Sequence, residues 1–157
     1  MAAGTFIPGL KVVLDAYFTT ATLKIMLVKS SYTFDPDHQY IGSVCGPGAH
    51  ECNATNYAGG FAGGGRKTAT ATVNADTTDD RIEITFTNLT WTTLGGAVNN
   101  TIGGAVLVEE KTSDADSPVL FFLDLTNFTT NGTDVTLTFS GDGNIQFEDL
   151  GTLLGTL

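Results

Sequence analysis

Hydrophobic and polar residues alternate along much of the chain. In residues 81–87 (RIEITFT), Ile82, Ile84 and Phe86 take every second position, and polar or charged residues fill the rest. Because successive side chains of a strand point to opposite faces, this period of two predicts a strand with one buried face. Similar runs predict further strands at residues 22–28, 68–73, 105–109, 119–125 and 135–139, and around Ile145 and Phe147. The runs at 105–109 and 119–125 are apolar on both faces, which is typical of central strands.

The N-terminal segment has a different period. In residues 5–18, Ile7, Leu10, Leu14 and Tyr17 recur at helical spacing, Thr5 is a suitable N-cap, and a proline stands in the first turn. We therefore predict a short helix inside an N-terminal arm of about residues 1–20.

A long polar segment separates the first predicted strand from the others. It forms a predicted loop at about 33–65, and loops of this length in compact domains are usually functional or disordered. Turn signals rich in glycine and asparagine separate the later strands, and composition is steady throughout. The sequence thus predicts one domain, residues 1–157. We expect a mainly β fold, an antiparallel β-sandwich or barrel-like domain with a short N-terminal helix.

Composition and charge limit the classes of partner that the protein is expected to bind. The formal net charge is -10, and Arg66-Lys67 is the one adjacent basic pair, so we expect no binding to nucleic acid or to an anionic membrane surface. No run reaches the roughly 18 apolar residues of a membrane span, and no N-terminal signal peptide is evident.

Two histidines and two cysteines fall within fifteen positions of the long loop: His38, Cys45, His50 and Cys52. These residue types are zinc ligands, although their spacing matches no common zinc finger. The alternatives are a disulfide between Cys45 and Cys52 that closes the loop, or two free thiols.

Two further segments contain candidate ligand-binding residues, and the evidence for each is weaker than for the histidines and cysteines. Residues 60–68 (GFAGGGRKT) resemble a phosphate-binding loop, but Arg66 separates the last glycine from Lys67, so a glycine hinge leading into a sheet is favoured. Alternating oxygen ligands for calcium occur at Asp142, Asn144, Gln146 and Glu148, a pattern that also describes the solvent face of a strand.

No sequence signature of catalysis is present, and no G-x-S-x-G elbow occurs, so we expect no catalytic residues, no cofactor and no enzyme activity. Four aromatic residues could offer a sugar-stacking platform: Trp91, Tyr32, Tyr40 and Tyr57. Their scatter along the chain fits core and rim positions better.

Taken together, these segments resemble a family of small virion proteins of tailed bacteriophages. TLKIMLVKSSYTFDPDHQYI is similar to the family's opening DTIKVMLVSSSYTPDxDxH, and ECNATNYAGG to its E-x-x-G-T-G-Y-x-x-GG segment. PVLFFLDL parallels PLIAYIDF, and the closing NGTDVTLTFSGDGNIQFEDLGTLLGTL parallels NGTFTIxWxxxGILxL. The resemblance covers nearly the whole chain. The insertion with Cys45 and Cys52, and the longer glycine-rich stretch at 59–65, depart from it.

The resemblance implies a non-catalytic structural part of the virion. It implies first a head-decoration (cement) protein on the exterior of the particle, made in the host cytoplasm and often a homotrimer. Its expected partners are the major capsid protein and neighbouring copies of itself, gripped by the N-terminal arm and the 33–65 loop. The alternatives are a tail or neck component, or a carbohydrate-binding module for host adsorption.

Overall fold

A computed structural model describes residues 6–45, 49–139 and 145–148 of the chain. Its elements, in chain order, are α1 (Ile7–Thr20), β1 (Leu23–Lys29), α2 (Ile41–Val44), β2 (Lys67–Thr68), β3 (Ala71–Asp76), β4 (Arg81–Phe86), β5 (Leu89–Leu94), β6 (Thr101–Glu109), β7 (Val119–Thr129), β8 (Thr133–Leu137) and β9 (Ile145–Glu148). They fall into two compact units, and the chain passes from one unit to the other four times. The prediction of a single domain stays a prediction.

The larger unit comprises Thr22–Ala69 and Asn88–Leu137. Its main sheet has the order β2-β1-β6-β7, and every neighbouring pair is antiparallel. One face of this sheet carries Met26 and Val106, which pair across β1 and β6 and pack with Ile41 and Val44 of α2. The short helix α2 therefore closes one side of the sheet.

A second sheet, β5 paired with β8, belongs to the same unit. Leu27 of β1, Trp91 of β5 and Val135 of β8 line one cavity of about 160 Å³, so the two sheets share an interior. Trp91 is only 2 % exposed. Two antiparallel sheets with apolar residues between them make this unit sandwich-like.

The smaller unit combines α1 with a three-stranded antiparallel sheet of order β3-β4-β9. Ile84 of β4 faces Val73 of β3 and Ile145 of β9. The alternation of residues 81–87 is thus a strand with a buried face, since Ile82 and Ile84 are fully buried and Phe86 nearly so. Helix α1 lies against β3 and β4.

The mainly β fold with antiparallel sheets and a short N-terminal helix is confirmed. Four details differ from the sequence prediction. The strand predicted at residues 68–73 is divided between β2, which ends at Thr68, and β3, which begins at Ala71 and belongs to another sheet. The helix cap is Phe6, without a side-chain hydrogen bond, and the predicted cap, Thr5, lies outside the described residues. Within the described residues β7 is an edge strand of its sheet and not a central one. Strand β5 was not predicted, because a register shift between Trp91 and Leu94, with Thr93 at a φ of 48°, breaks its alternation.

Candidate functional site

The end of the long loop holds a buried arginine. The Arg66 side chain is fully buried, and its Nε and Nη2 donate to the two carboxylate oxygens of Glu51 at 2.9 and 2.7 Å. Its Nη1 and Nη2 donate to Asp114 at 2.5 and 3.0 Å. Both carboxylates are thus gripped in the two-pronged geometry that guanidinium favours. We call Arg66, Glu51 and Asp114 the Arg66 cluster.

The Arg66 cluster joins three segments that are distant in sequence. Glu51 forms an isolated antiparallel bridge with Val28 of β1, while Asp114 lies between β6 and β7. Burial alone would lower the pKa of Arg66, but the hydrogen bonds to Glu51 and Asp114 outweigh it and raise the pKa. The guanidinium therefore stays charged, and it holds the long loop against the sheet.

Tyr57 and the glycine-rich stretch complete this arrangement. The Tyr57 hydroxyl donates to Glu51 at 3.2 Å and accepts from the Leu27 amide at 3.1 Å. A Cβ on Gly65 would lie 2.7 Å from the Tyr57 ring, so glycine is required there for close packing. Trp91 Nε1 donates to the Gly65 carbonyl at 2.6 Å. The stretch that resembled a phosphate-binding loop leads into β2 and not into a helix, and it packs around aromatic rings.

In the structure, Cys45 and Cys52 are both free thiols. Cys45 Sγ lies 3.5 Å from the sulfur of Met26 and 3.7 Å from Glu51 Oε2. Burial, with the nearby Glu51 carboxylate, raises the pKa of Cys45 to about 12. Burial also raises the pKa of Cys52, which is 1 % exposed. Both groups are therefore protonated, poorly nucleophilic thiols near neutral pH.

The histidines lie on either side of a tyrosine. The ring of Tyr32 stacks on His38 at 6.0 Å between centroids and meets His50 edge-on at 5.5 Å. The Tyr32 hydroxyl is 3.1 Å from His38 Nδ1, while Ser31 Oγ is 3.4 Å from His50 Nδ1. The imidazoles thus contact hydroxyl groups. In the described part of the chain, no group of three or more His, Cys, Asp or Glu residues is arranged to hold a metal ion.

The remaining candidate residues, the aromatic and calcium-binding ones, lie partly in the core and partly on the surface. Trp91 and Tyr57 are buried, so neither can stack on a ligand, whereas Tyr40 is 42 % exposed and Tyr32 half-buried. Of the calcium candidates, Asp142 and Asn144 lie outside the described residues. Gln146 falls on β9, as the strand interpretation requires.

Helix α1 carries an exposed apolar surface that the sequence did not single out as such. Ile7 and Phe18 are buried, while Phe6 is 87 %, Val12 68 % and Val13 65 % exposed. Gly9 and Ala16 are exposed on the same side of the helix, and the only charged residues of α1, Lys11 and Asp15, pair with each other. We call the surface formed by Phe6, Gly9, Val12, Val13 and Ala16 the α1 outer face. The signal in the sequence was the adjacent Val12-Val13 pair, which extends the apolar stripe beyond one side of the helix.

No helix in residues 6–45, 49–139 and 145–148 is long and apolar enough to cross a bilayer. Comparison of the chain with protein-family models, with curated proteins and with solved structures finds no significant match. The resemblance to virion proteins therefore stays a prediction from the sequence.

Proposed function

We propose that the chain is a structural protein of a tailed-bacteriophage particle, and specifically a decoration protein that binds the outer surface of the head. The proposal rests on the sequence resemblance together with one structural observation, the α1 outer face. In this proposal the chain acts by binding and not by catalysis.

The α1 outer face supports a binding role because apolar residues cover a second side of α1 besides the side that buries Ile7 and Phe18, and an exposed apolar patch marks an interaction site. Three of the large, strongly exposed apolar side chains of the described residues lie at this one face: Phe6, Val12 and Val13. While these side chains are exposed to water, the favourable free energy of burying their apolar area is not gained. Binding of a partner that covers the face would gain this free energy.

The size of the face favours the capsid as that partner. Helix α1 has 14 residues and is about 21 Å long, so one side of it offers much less than the roughly 800 Å² per partner of a stable protein complex. Such a face binds firmly only where several copies are engaged together, as three subunits of a trimer would be on a repeated capsid lattice. The face also carries no net charge, which suits docking by an otherwise acidic chain.

The Arg66 cluster supports the same role from the other unit. Its carboxylates and guanidinium are saturated by one another and by Tyr57 and the Gly60 amide. Buried charges that are fully paired fix a loop in one conformation. A decoration protein needs such fixed loops.

The direct test measures binding to capsids that lack the protein. We expect the wild-type chain to sediment with such capsids, and Val13→Asp to bind at least about tenfold more weakly, because it places a charge in an apolar contact. Val98→Asp is the matched control, since Val98 is 50 % exposed and lies in a loop of the larger unit. Failure of the wild-type chain to bind would overturn the proposal, as would equal binding by Val13→Asp and the wild type.

A further inference from the structure

A groove beside β7 has an exposed aromatic ring as one wall. The ring of Phe34 lies nearly parallel to that of Phe122, with 5.4 Å between centroids and 21° between planes. Phe34 is nevertheless 54 % exposed. Contact with Phe122 therefore leaves much of the Phe34 side chain open to a ligand.

The groove itself has a volume of about 510 Å³, which is within the usual range for small-molecule sites. Besides the two rings, it is lined by Lys29 and Ser30 from the end of β1 and by Asp124 and Asn127 from β7. All of these residues belong to the larger unit.

The floor of the groove depends on a close backbone approach. A Cβ on Gly103 of β6 would lie 2.7 Å from Ser30 Cα and 2.9 Å from Asn127 Oδ1. Glycine at this position therefore lets Ser30 and Asn127 approach each other across β6. Ser30 follows the last residue of β1, and its amide donates to the Thr101 carbonyl of β6 at 2.9 Å, so its backbone position is fixed.

The polar groups of the groove are available to a ligand. Asp124 and Asn127 are exposed, and neither side chain makes a hydrogen bond to another residue in the described part of the chain. Carboxylate oxygens accept, whereas the Asn127 amide and the Ser30 hydroxyl both donate and accept. Neighbouring hydroxyl groups of a ligand, each a donor and an acceptor, match this set.

We propose that this groove, which we call the Phe34 groove, binds a neutral saccharide. A pyranose ring presents a face of C–H groups and a rim of hydroxyls, which match the Phe34 ring and the Asp124–Asn127 pair respectively. Phosphorylated ligands fit poorly because Asp124 repels them and the one cation of the groove, the Lys29 ammonium, already donates to the Ala49 carbonyl at 2.9 Å. The open form of the groove suits an internal stretch of a polysaccharide.

The test is titration of the isotope-labelled full chain with cellohexaose, chitohexaose and mannohexaose, followed by NMR. At millimolar concentration, at least one of these is expected to shift the backbone amide resonances of Phe34, Asp124 and Asn127. Phe34→Ala should weaken that binding about tenfold, the usual effect of removing an aromatic contact residue. Asp124→Asn, which keeps the shape of the side chain, should also weaken it.

Phe61→Ala is the matched control, because Phe61 is 43 % exposed and does not line the groove. The proposal is overturned if none of the three saccharides shifts the groove resonances, or if Phe34→Ala binds as well as Phe61→Ala. The saccharide proposal can be tested independently of the decoration proposal. Phe34→Ala is expected to bind capsids normally, because the decoration proposal places the capsid contact on the α1 outer face and not on the 33–65 loop, and Val13→Asp is expected to bind the saccharide normally.

Discussion

At the residue scale, the stability of the fold is expected to depend strongly on Arg66. It is the one fully buried side chain with a formal charge among the described residues, and it holds two carboxylates. The burial of Arg66 could not be predicted, because its partners Glu51 and Asp114 are 15 and 48 positions away.

Arg66→Met should lower the free energy of unfolding by about 3–5 kcal/mol, because it leaves the Glu51 and Asp114 side chains, which are only 10 % and 29 % exposed, without their counter-ion. Urea denaturation followed by circular dichroism measures this change. Lys67→Met serves as the control and should change stability by about 0.5 kcal/mol or less. Equal effects of the two substitutions would show that the Arg66 cluster does not stabilise the fold.

Gly65 gives a second residue-scale prediction. Gly65→Ala should cost about 1–3 kcal/mol, because the added Cβ would overlap the Tyr57 ring. A Cβ on the adjacent Gly64 meets nothing within 4 Å, so Gly64→Ala should be nearly neutral. Comparing the thermal midpoints of the two variants tests the packing. Similar midpoints would contradict it.

The raised pKa of the Cys45 thiol predicts how the stability of the fold depends on pH. The folded-state pKa of about 12 exceeds the ordinary value of 9.0, so folding favours the protonated thiol. The contribution of Cys45 to stability is therefore complete below pH 9 and is lost as the pH rises towards 12. In a Cys52→Ala background, iodoacetamide should label the native chain at pH 8 far more slowly than the urea-unfolded chain. Equally fast labelling of the native chain would refute the raised pKa of this partly buried thiol.

At the element scale, regular alternation located most strands, but it did not show that the segment predicted at 68–73 divides into β2 and β3. Strands β4 and β9 follow the period of two, and their pairing through Ile84 and Ile145 confirms both predictions. In β5, the left-handed conformation of Thr93 shifts the register, so Leu94 and Trp91 are both buried although three positions apart. Sequence periodicity cannot reveal such a shift.

In helix α1, the buried residues are expected to stabilise the fold and the exposed apolar residues to bind a partner. Phe18→Ala should destabilise the chain by about 3–5 kcal/mol, because the Phe18 side chain is 6 % exposed. Val13→Ser should change the free energy of unfolding by about 0.5 kcal/mol or less, since Val13 is largely in solvent. Parallel urea denaturation of the two variants measures both effects. A large loss in Val13→Ser would mean that the α1 outer face serves the fold and not a partner.

At the scale of the whole molecule, composition and periodicity predicted the mainly β class but not the surfaces. The scarcity of charged residues and the abundance of threonine indicated strands. The α1 outer face and the Phe34 groove both depend on which side of an element faces solvent, and on contacts such as Phe34 with Phe122 that join distant positions. Those contacts appear only once the chain is folded.

The central claim, that the chain decorates a phage head, is tested most directly by locating it in a cryo-electron microscopy reconstruction of the intact particle. The account predicts density for the chain on the outer surface of the head, in repeated copies, with Phe6, Val12 and Val13 of the α1 outer face against the capsid. Its absence from the particle, or its presence only in the tail or neck, would contradict the account.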